Sequence, residues 1–321
     1  GGNRKRNAWK GSDGSVVWSE LDRWYWGGPV MINDDMIITQ HGNDMGGINL
    51  LTGDMYTVAS GLTGDPVDFA GFKRYGCGTT IACKNILLFR SGNAGYFDLN
   101  TNSGTGNWGG FKAGCTINLM PANGLLVAPE YTRTCGCSYQ FQTSVAMIHR
   151  NDVEQWSCNK ILGEQYNGGR LTKVGINFGS IGDRVDDNGV LWMEYPYGEP
   201  AAGFGYQIPL NINVDGGEYY RHHSLTVDGD KSWVAASGIE GASSITCEMY
   251  DPADACFKDT IARNYDVTLY FAEPDGACIA GERKFEVTVN GVYAGEMDVV
   301  TEAGCASKVV ALNIPDVRID N

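Results

Sequence analysis

The residues whose types and spacing could do chemistry are few: ten cysteines, four histidines, one acidic loop and one dense aromatic triplet. The cysteines fall into two groups. Cys77, Cys83, Cys115, Cys135, Cys137 and Cys158 precede residue 160, and Cys247, Cys256, Cys278 and Cys305 follow residue 245. Each group is even in number, the pattern of two separately stapled domains. Structural zinc needs repeated C-x(2–4)-C pairs. The one close pair, Cys135-Gly136-Cys137, has a single intervening residue and no second copy. Disulfides are therefore expected, and with them an oxidising compartment: extracellular or cell-surface, with the periplasm also fitting. His222 and His223 are adjacent and would point to opposite sides of a strand, so they chelate poorly. They are expected as packing or hydrogen-bonding residues, and His41 and His149 stand apart. The sequence contains no Gly-x-Ser-x-Gly elbow, His-Glu-x-x-His or phosphate loop, so no catalytic residue is nominated. Glycosidase-type carboxylate pairs need not be close in sequence, and 38 acidic residues do not single one out.

Two local features invite a ligand. Asp183-Arg184-Val185-Asp186-Asp187-Asn188-Gly189 offers oxygen ligands on a tight loop, with Asp183, Asp186 and Asn188 as candidate calcium ligands. It lacks the spacing and closing glutamate of an EF-hand. The plainer reading is an acidic β-turn with Asn188-Gly189 at its tip. Trp24-Tyr25-Trp26 is a candidate platform for a sugar or a protein partner, in competition with packing between sheets.

The elements that must position these residues are strands. Val16-Val17-Trp18, Met36–Thr39, Ser144–Ile148 and Val190–Met193 are short β-rich runs punctuated by Gly, Asn and Asp. No 12-residue window holds a 3.6-residue apolar period free of Gly and Pro. The chain has 321 residues, about two domains' worth, with 43% hydrophobic residues and 44 glycines. An all-β, turn-rich, packed protein is expected. Its net charge of -14 leaves no basic stripe beyond Arg4, Lys5 and Arg6, so nucleic acid is not an expected partner. Apolar runs such as Ile86–Phe89 are far short of the roughly 20 residues of a spanning helix, so no membrane span is expected.

A weak repeat organises the first half. Asn7-Ala8 with Trp18, Ile48–Gly53, Gly95–Leu99 and Val145–Ile148 with Trp156 recur at intervals of about 40–50 residues, the period of propeller blades. Thr52-Gly53 reads as a tight turn, and the tryptophans as packing between blades. These units resemble the quinoprotein-like (PQQ-like) β-propeller repeat. From Tyr75-Gly76-Cys77-Gly78-Thr79 onward, through Gly109–Asn118, Pro121–Leu125, Cys135–Tyr139 and Gly182–Pro196, the chain is similar to the last blades of a bacterial secreted group of such proteins. In the second half, Leu269-Tyr270-Phe271-Ala272-Glu273-Pro274, a short loop and Phe285-Glu286-Val287-Thr288-Val289-Asn290-Gly291 resemble the core of malectin-like β-sandwich domains. Trp233–Gly238 reads as an earlier strand there. Sugar-binding malectins stack their ligand on an adjacent Tyr-Phe pair after the Phe-Ala-Glu phrase. Here that loop reads Pro274–Gly281 and holds no aromatic residue, so that ligand site is not carried over. Cys278 with Cys305, and Cys247 with Cys256, are the expected local pairings of the sandwich.

The resemblances imply about four PQQ-like blades over residues 1–212 and a malectin-like sandwich over residues 213–321. Only about four units are countable, and the sandwich stops before its usual last strands. That predicts either a piece of a longer chain or open edges completed by neighbouring copies. A quinone seat is not expected, because the resembled enzymes pack a disulfide of adjacent cysteines on pyrroloquinoline quinone, and no two cysteines are adjacent here. No cofactor is expected, calcium being the one metal with a candidate site. The function expected is a non-enzymatic secreted structural or binding protein, a self-assembling extracellular subunit of a filament or surface. A quinoprotein-like oxidoreductase fragment and a pair of carbohydrate-binding modules acting on polysaccharide are the alternatives.

Overall fold

The computed structural model describes residues 6–21, 31–73, 76–114, 118–129, 144–150, 153–158, 171–196, 210–248 and 262–319. Across them the chain is all-β, built of many small and mostly antiparallel sheets. Strands β1 (Arg6–Trp9) and β2 (Val16–Leu21) form a hairpin. The first larger sheet has the order β3-β4-β5-β8, from β3 (Met31–Asn33), β4 (Met36–His41), β5 (Asp44–Asn49) and β8 (Ala70–Phe72). A small hairpin of β6 (Thr57–Ala59) and β7 (Pro66–Asp68) lies between β5 and β8 in the chain. The second sheet has the order β16-β12-β11-β10-β9, from β9 (Ile81–Ala82), β10 (Ile86–Ser91), β11 (Asn93–Asp98), β12 (Thr105–Asn107) and β16 (Ser157–Cys158). The third is a meander of β13 (Met120–Ala122), β14 (Leu125–Ala128) and β15 (Val145–Ile148).

Alternation along the strands explains how these sheets stack. In β10, Leu87 and Phe89 point to one face and Leu88 to the other. Leu87 and Phe89 join Phe97 against Met36, Ile38 and Met45 of the first sheet and Phe69, the residue before β8. Leu88 joins Ala94 and Tyr96 against Leu119 and Ala128 beside the third sheet. The middle sheet is thus covered on both faces, which is why β10 and β11 are buried almost end to end. The turn at Thr52-Gly53 is set by the expected chemistry. Gly53 takes φ 77° after Thr52, and the Asn49 side chain accepts the Leu51 and Thr52 N–H groups. Trp18 reaches over to donate its indole N–H to the Leu50 carbonyl at 2.9 Å.

Next come β17 (Gly175–Phe178), β18 (Arg184–Val185) and β19 (Leu191–Tyr195). Here β17 and β19 pair in parallel and β18 joins β19 antiparallel. The second half adds three two-stranded ribbons: β20 (Asn211–Arg221) with β21 (Ser237–Glu248), β22 (Arg263–Phe271) with β25 (Val310–Ile319), and β23 (Lys284–Val289) with β24 (Val292–Asp298). The β23–β24 turn is Asn290-Gly291 with φ of 50° and 77°, the expected hairpin dipeptide. Val287, Met297 and Val299 pack on Leu269, Phe271, Val310 and Leu312, so this ribbon lies face to face with β22–β25. One expectation is corrected: Ser232–Ala235 is a helical turn, and the strand begins only at Ser237. Val234, Ala235 and Ala236 are buried there, and a helical turn brings them inside together where a strand would expose alternate residues. The boundary expected after residue 212 falls inside β20. Ile212 belongs to a core with Leu62, Leu171, Leu191, Met193 and Leu210 that ties β20 to the sheet of β17–β19. Among the described residues no helix is long and apolar enough to cross a membrane.

Candidate binding site where the two halves meet

The acidic loop is the foundation of the site. Asp186 makes an Asx-type turn: its Oδ1 accepts the backbone N–H groups of Asn188 and Val190, each at 2.9 Å. Gly189 closes the turn at φ 67° and donates its N–H to the Asp186 carbonyl. The acidic β-turn reading of this sequence is therefore what the chain forms. The other oxygen, Oδ2, faces the second half. It accepts the Trp192 indole N–H at 3.1 Å and the Lys231 ammonium at 2.7 Å. The two charged side chains are only 4% and 12% exposed. Burial raises the Asp186 pKa, but the hydrogen bonds from Lys231, the Val190 N–H and Trp192 outweigh it and hold the carboxyl below its usual range.

Lys231 is the residue before the helical turn Ser232–Ala235 and adopts a left-handed φ of 56°. That turn presents Trp233, on which several groups converge. Trp192 meets it edge-on at 5.6 Å and Trp156 at 6.0 Å. Trp192 also meets Tyr270 of β22 at 5.7 Å. The Arg184 guanidinium carbon lies 4.5 Å from the Trp233 ring centroid, a cation–π distance. Ser157 bridges antiparallel to Asp183, a register that sets residue 156 opposite residue 184. Glu154 completes the rim: one oxygen accepts the Ser224 N–H at 2.6 Å and the other accepts the Trp156 indole N–H at 3.3 Å. Burial raises the Glu154 pKa, and the hydrogen bonds of Ser224 and Trp156 with nearby His223 bring it below the usual value. Below the rim, Asn177 accepts the Ser237 hydroxyl and donates to the Trp233 carbonyl.

Of the three candidate calcium ligands, Asp186 takes its hydrogen bonds from protein donors, including an ammonium. Asp183 accepts the Glu194 N–H, and Asn188 offers its carbonyl to Lys173. Among the described residues no group of three His, Cys, Asp or Glu side chains is placed to hold a metal ion. Trp24, Tyr25 and Trp26 lie outside the described residues, as do Cys115, Cys135, Cys137, Cys256 and the side chain of Cys158. Cys77, Cys83, Cys247, Cys278 and Cys305 carry free thiols. The expected Cys278–Cys305 bridge is therefore not made in this structure. Cys278 is buried in the turn after Pro274 with its sulfur toward the Ile279 carbonyl, whereas Cys305 is exposed beyond the helical turn Val299–Ala303. His223 acts as a cap, its Nδ1 accepting the Leu225 N–H at 3.1 Å.

Sequence reasoning missed Arg184, Lys231, Trp156 and Trp233 as a group, since they come from three segments. The available signal was local only: Trp192 closely follows the acidic turn, and Trp233 closely follows Lys231. A second polar cluster lies in the ribbons. Glu273 is buried, accepts the Asp275 N–H at 2.8 Å and pairs with Arg283 at 3.2 Å, and Arg283 also bonds Glu240. Burial, then Glu273 and Glu240, push the nearby Tyr220 hydroxyl up to about 12 against the opposing Arg283. No family model matches this chain, and no curated protein matches it.

Proposed function

We propose that this chain is a non-enzymatic, extracellular structural and binding protein. On this reading its stacked sheets are blades of a PQQ-like β-propeller and its ribbons a malectin-like sandwich, and copies associate through open sheet edges. The observation that carries the reading is the state of those edges. Among the described residues all three ribbons are two-stranded, so each has backbone groups on both outer sides available to a further strand. The most open is β21, where Ser243–Glu248 is exposed throughout and includes the β-branched Ile245 and Thr246. The two-sided burial of β10 and β11 supports the propeller part, because blades are covered by neighbours on both faces. The buried acids support a structural role. Asp183, Glu273 and Asp298 each accept backbone N–H groups, at Glu194, Asp275, and Thr301 with Gly281. The extracellular setting rests on the even cysteine count of the sequence, to which the five described thiols contribute no bridge.

Sedimentation velocity over a hundredfold concentration range tests the association. Oligomers or filaments growing with concentration are expected, and Ile245→Lys, which places a charge on the exposed strand, should return the protein to a monomer. A wild-type chain that stays monomeric throughout would overturn the reading.

A further inference from the structure

Among the described residues the Arg184 side chain is a donor without an acceptor. Its guanidinium is stacked on Trp233, and among the described residues none of its N–H groups makes a hydrogen bond. A guanidinium has five N–H donors in a rigid fork. Arg184 is half-buried, as are Trp156, Trp233 and Glu154; Arg184 and Trp156 both pack on Trp233, and Glu154 bonds Trp156 and acts on Arg184 electrostatically. Glu154 accepts the Ser224 N–H on one oxygen and the Trp156 indole N–H on the other, with the Ser224 hydroxyl also bonded to it, and a carboxylate has about four acceptor sites, so acceptor capacity remains. The surroundings also select for ligand charge. Glu154, Asp186 and Asp187 lie close enough to act on Arg184 electrostatically, and they would repel an anion brought to the fork. A neutral polyhydroxylated ring meets none of that repulsion. Adjacent hydroxyls accept from the fork and donate to Glu154, and the apolar C–H face of the ring lies on indole.

We propose that the junction of the two halves is a saccharide site for neutral pyranose polymers, with Arg184 donating to ring hydroxyls, Glu154 accepting from them and Trp156 providing the stacking face. It uses no residue of the loop Pro274–Gly281 or of the exposed end of β21, so it stands or falls separately from association through the edges.

Affinity electrophoresis of the full chain through gels containing galactomannan, mixed-linkage β-glucan or polygalacturonate tests it, with tryptophan emission titrated in parallel. Retardation and a change of emission are expected with a neutral polymer and neither with polygalacturonate. Arg184→Gln should weaken binding at least tenfold. Arg184→Lys keeps the cation on Trp233 but loses the fork, so it should fold as the parent does and still bind several-fold more weakly. Ile245→Lys should bind as the parent does. The proposal is overturned if neither neutral polymer retards the protein or changes its emission, if polygalacturonate is preferred, or if Arg184→Lys binds undiminished.

Discussion

The most consequential single contact is that of Asp186 with Lys231, because it is buried and joins segments 45 residues apart. Taking two charges from water is costly, and the pair is tolerable because Trp192 and two backbone N–H groups complete the carboxylate's hydrogen bonding. Lys231→Met leaves that carboxylate buried without its cation. A loss of about 3 kcal/mol is expected, as for one partner removed from a buried pair. Chemical denaturation at pH 7 measures it. The pH dependence has a definite sign. Asp186 has a folded pKa below its unfolded value of about 3.9, so its contribution is complete above that value and disappears as pH falls through the folded one. Glu154 behaves in the same way. Stability should therefore drop below about pH 4. Asp186→Asn should be less stable than the parent at pH 7, with the difference narrowing in acid. Thermal melts between pH 2.5 and 7 check this, and a difference that widens in acid would contradict it.

At the scale of elements, local chemistry was legible and partnership was not. The Asn290-Gly291 hairpin, the Thr52-Gly53 turn and the turn at Asn188-Gly189 follow from residues whose backbone preferences act within four positions. The strands Met36–His41, Leu191–Tyr195 and Arg263–Phe271 show in their runs of apolar and β-branched residues. The Trp233 segment misled because an apolar run of that length reads equally as strand or helical turn, and tertiary burial decides. Nor does the sequence show that β17 runs parallel to β19, a pairing fixed by what packs on it. Gly175 exposes this dependence. A Cβ there would overlap the Trp192 indole, since Gly175 is the direct neighbour of Trp192 across the ladder. Gly175→Ala must displace the indole that donates to Asp186 and packs on Trp233 and Tyr270. Overpacking of this kind costs roughly 1–3 kcal/mol. Near-ultraviolet circular dichroism should lose part of its tryptophan signal, and Gly124→Ala, at an open turn of positive φ, should leave that signal in place.

For the whole molecule the question is whether the two halves are independent. Isolated two-stranded ribbons are marginal in water, and the described residues of the second half form three of them. They gain their stability from one another and from the first half. Ile212 of β20 is in a common core with Leu62, Leu191 and Met193. The Tyr265 hydroxyl of β22 donates to the Leu171 carbonyl at 2.9 Å, and the Tyr195 hydroxyl of β19 donates to the Ile212 carbonyl at 3.0 Å. Trp233 then closes the junction against Trp156, Trp192 and Arg184. Ribbons docked through so many contacts should not unfold apart from their support. Calorimetry is expected to show a single transition in the wild-type chain. Trp233→Ala removes the indole on which both halves converge while leaving the Ile212 core intact. Truncating a tryptophan costs about 3–5 kcal/mol when it is fully buried, and somewhat less for a half-buried one. Because that loss falls on the contact between halves rather than within either, it should split the endotherm in two, with the ribbons melting first. A single transition merely shifted to lower temperature would mean that the core around Ile212 and Leu191, not the tryptophan cluster, holds the halves together.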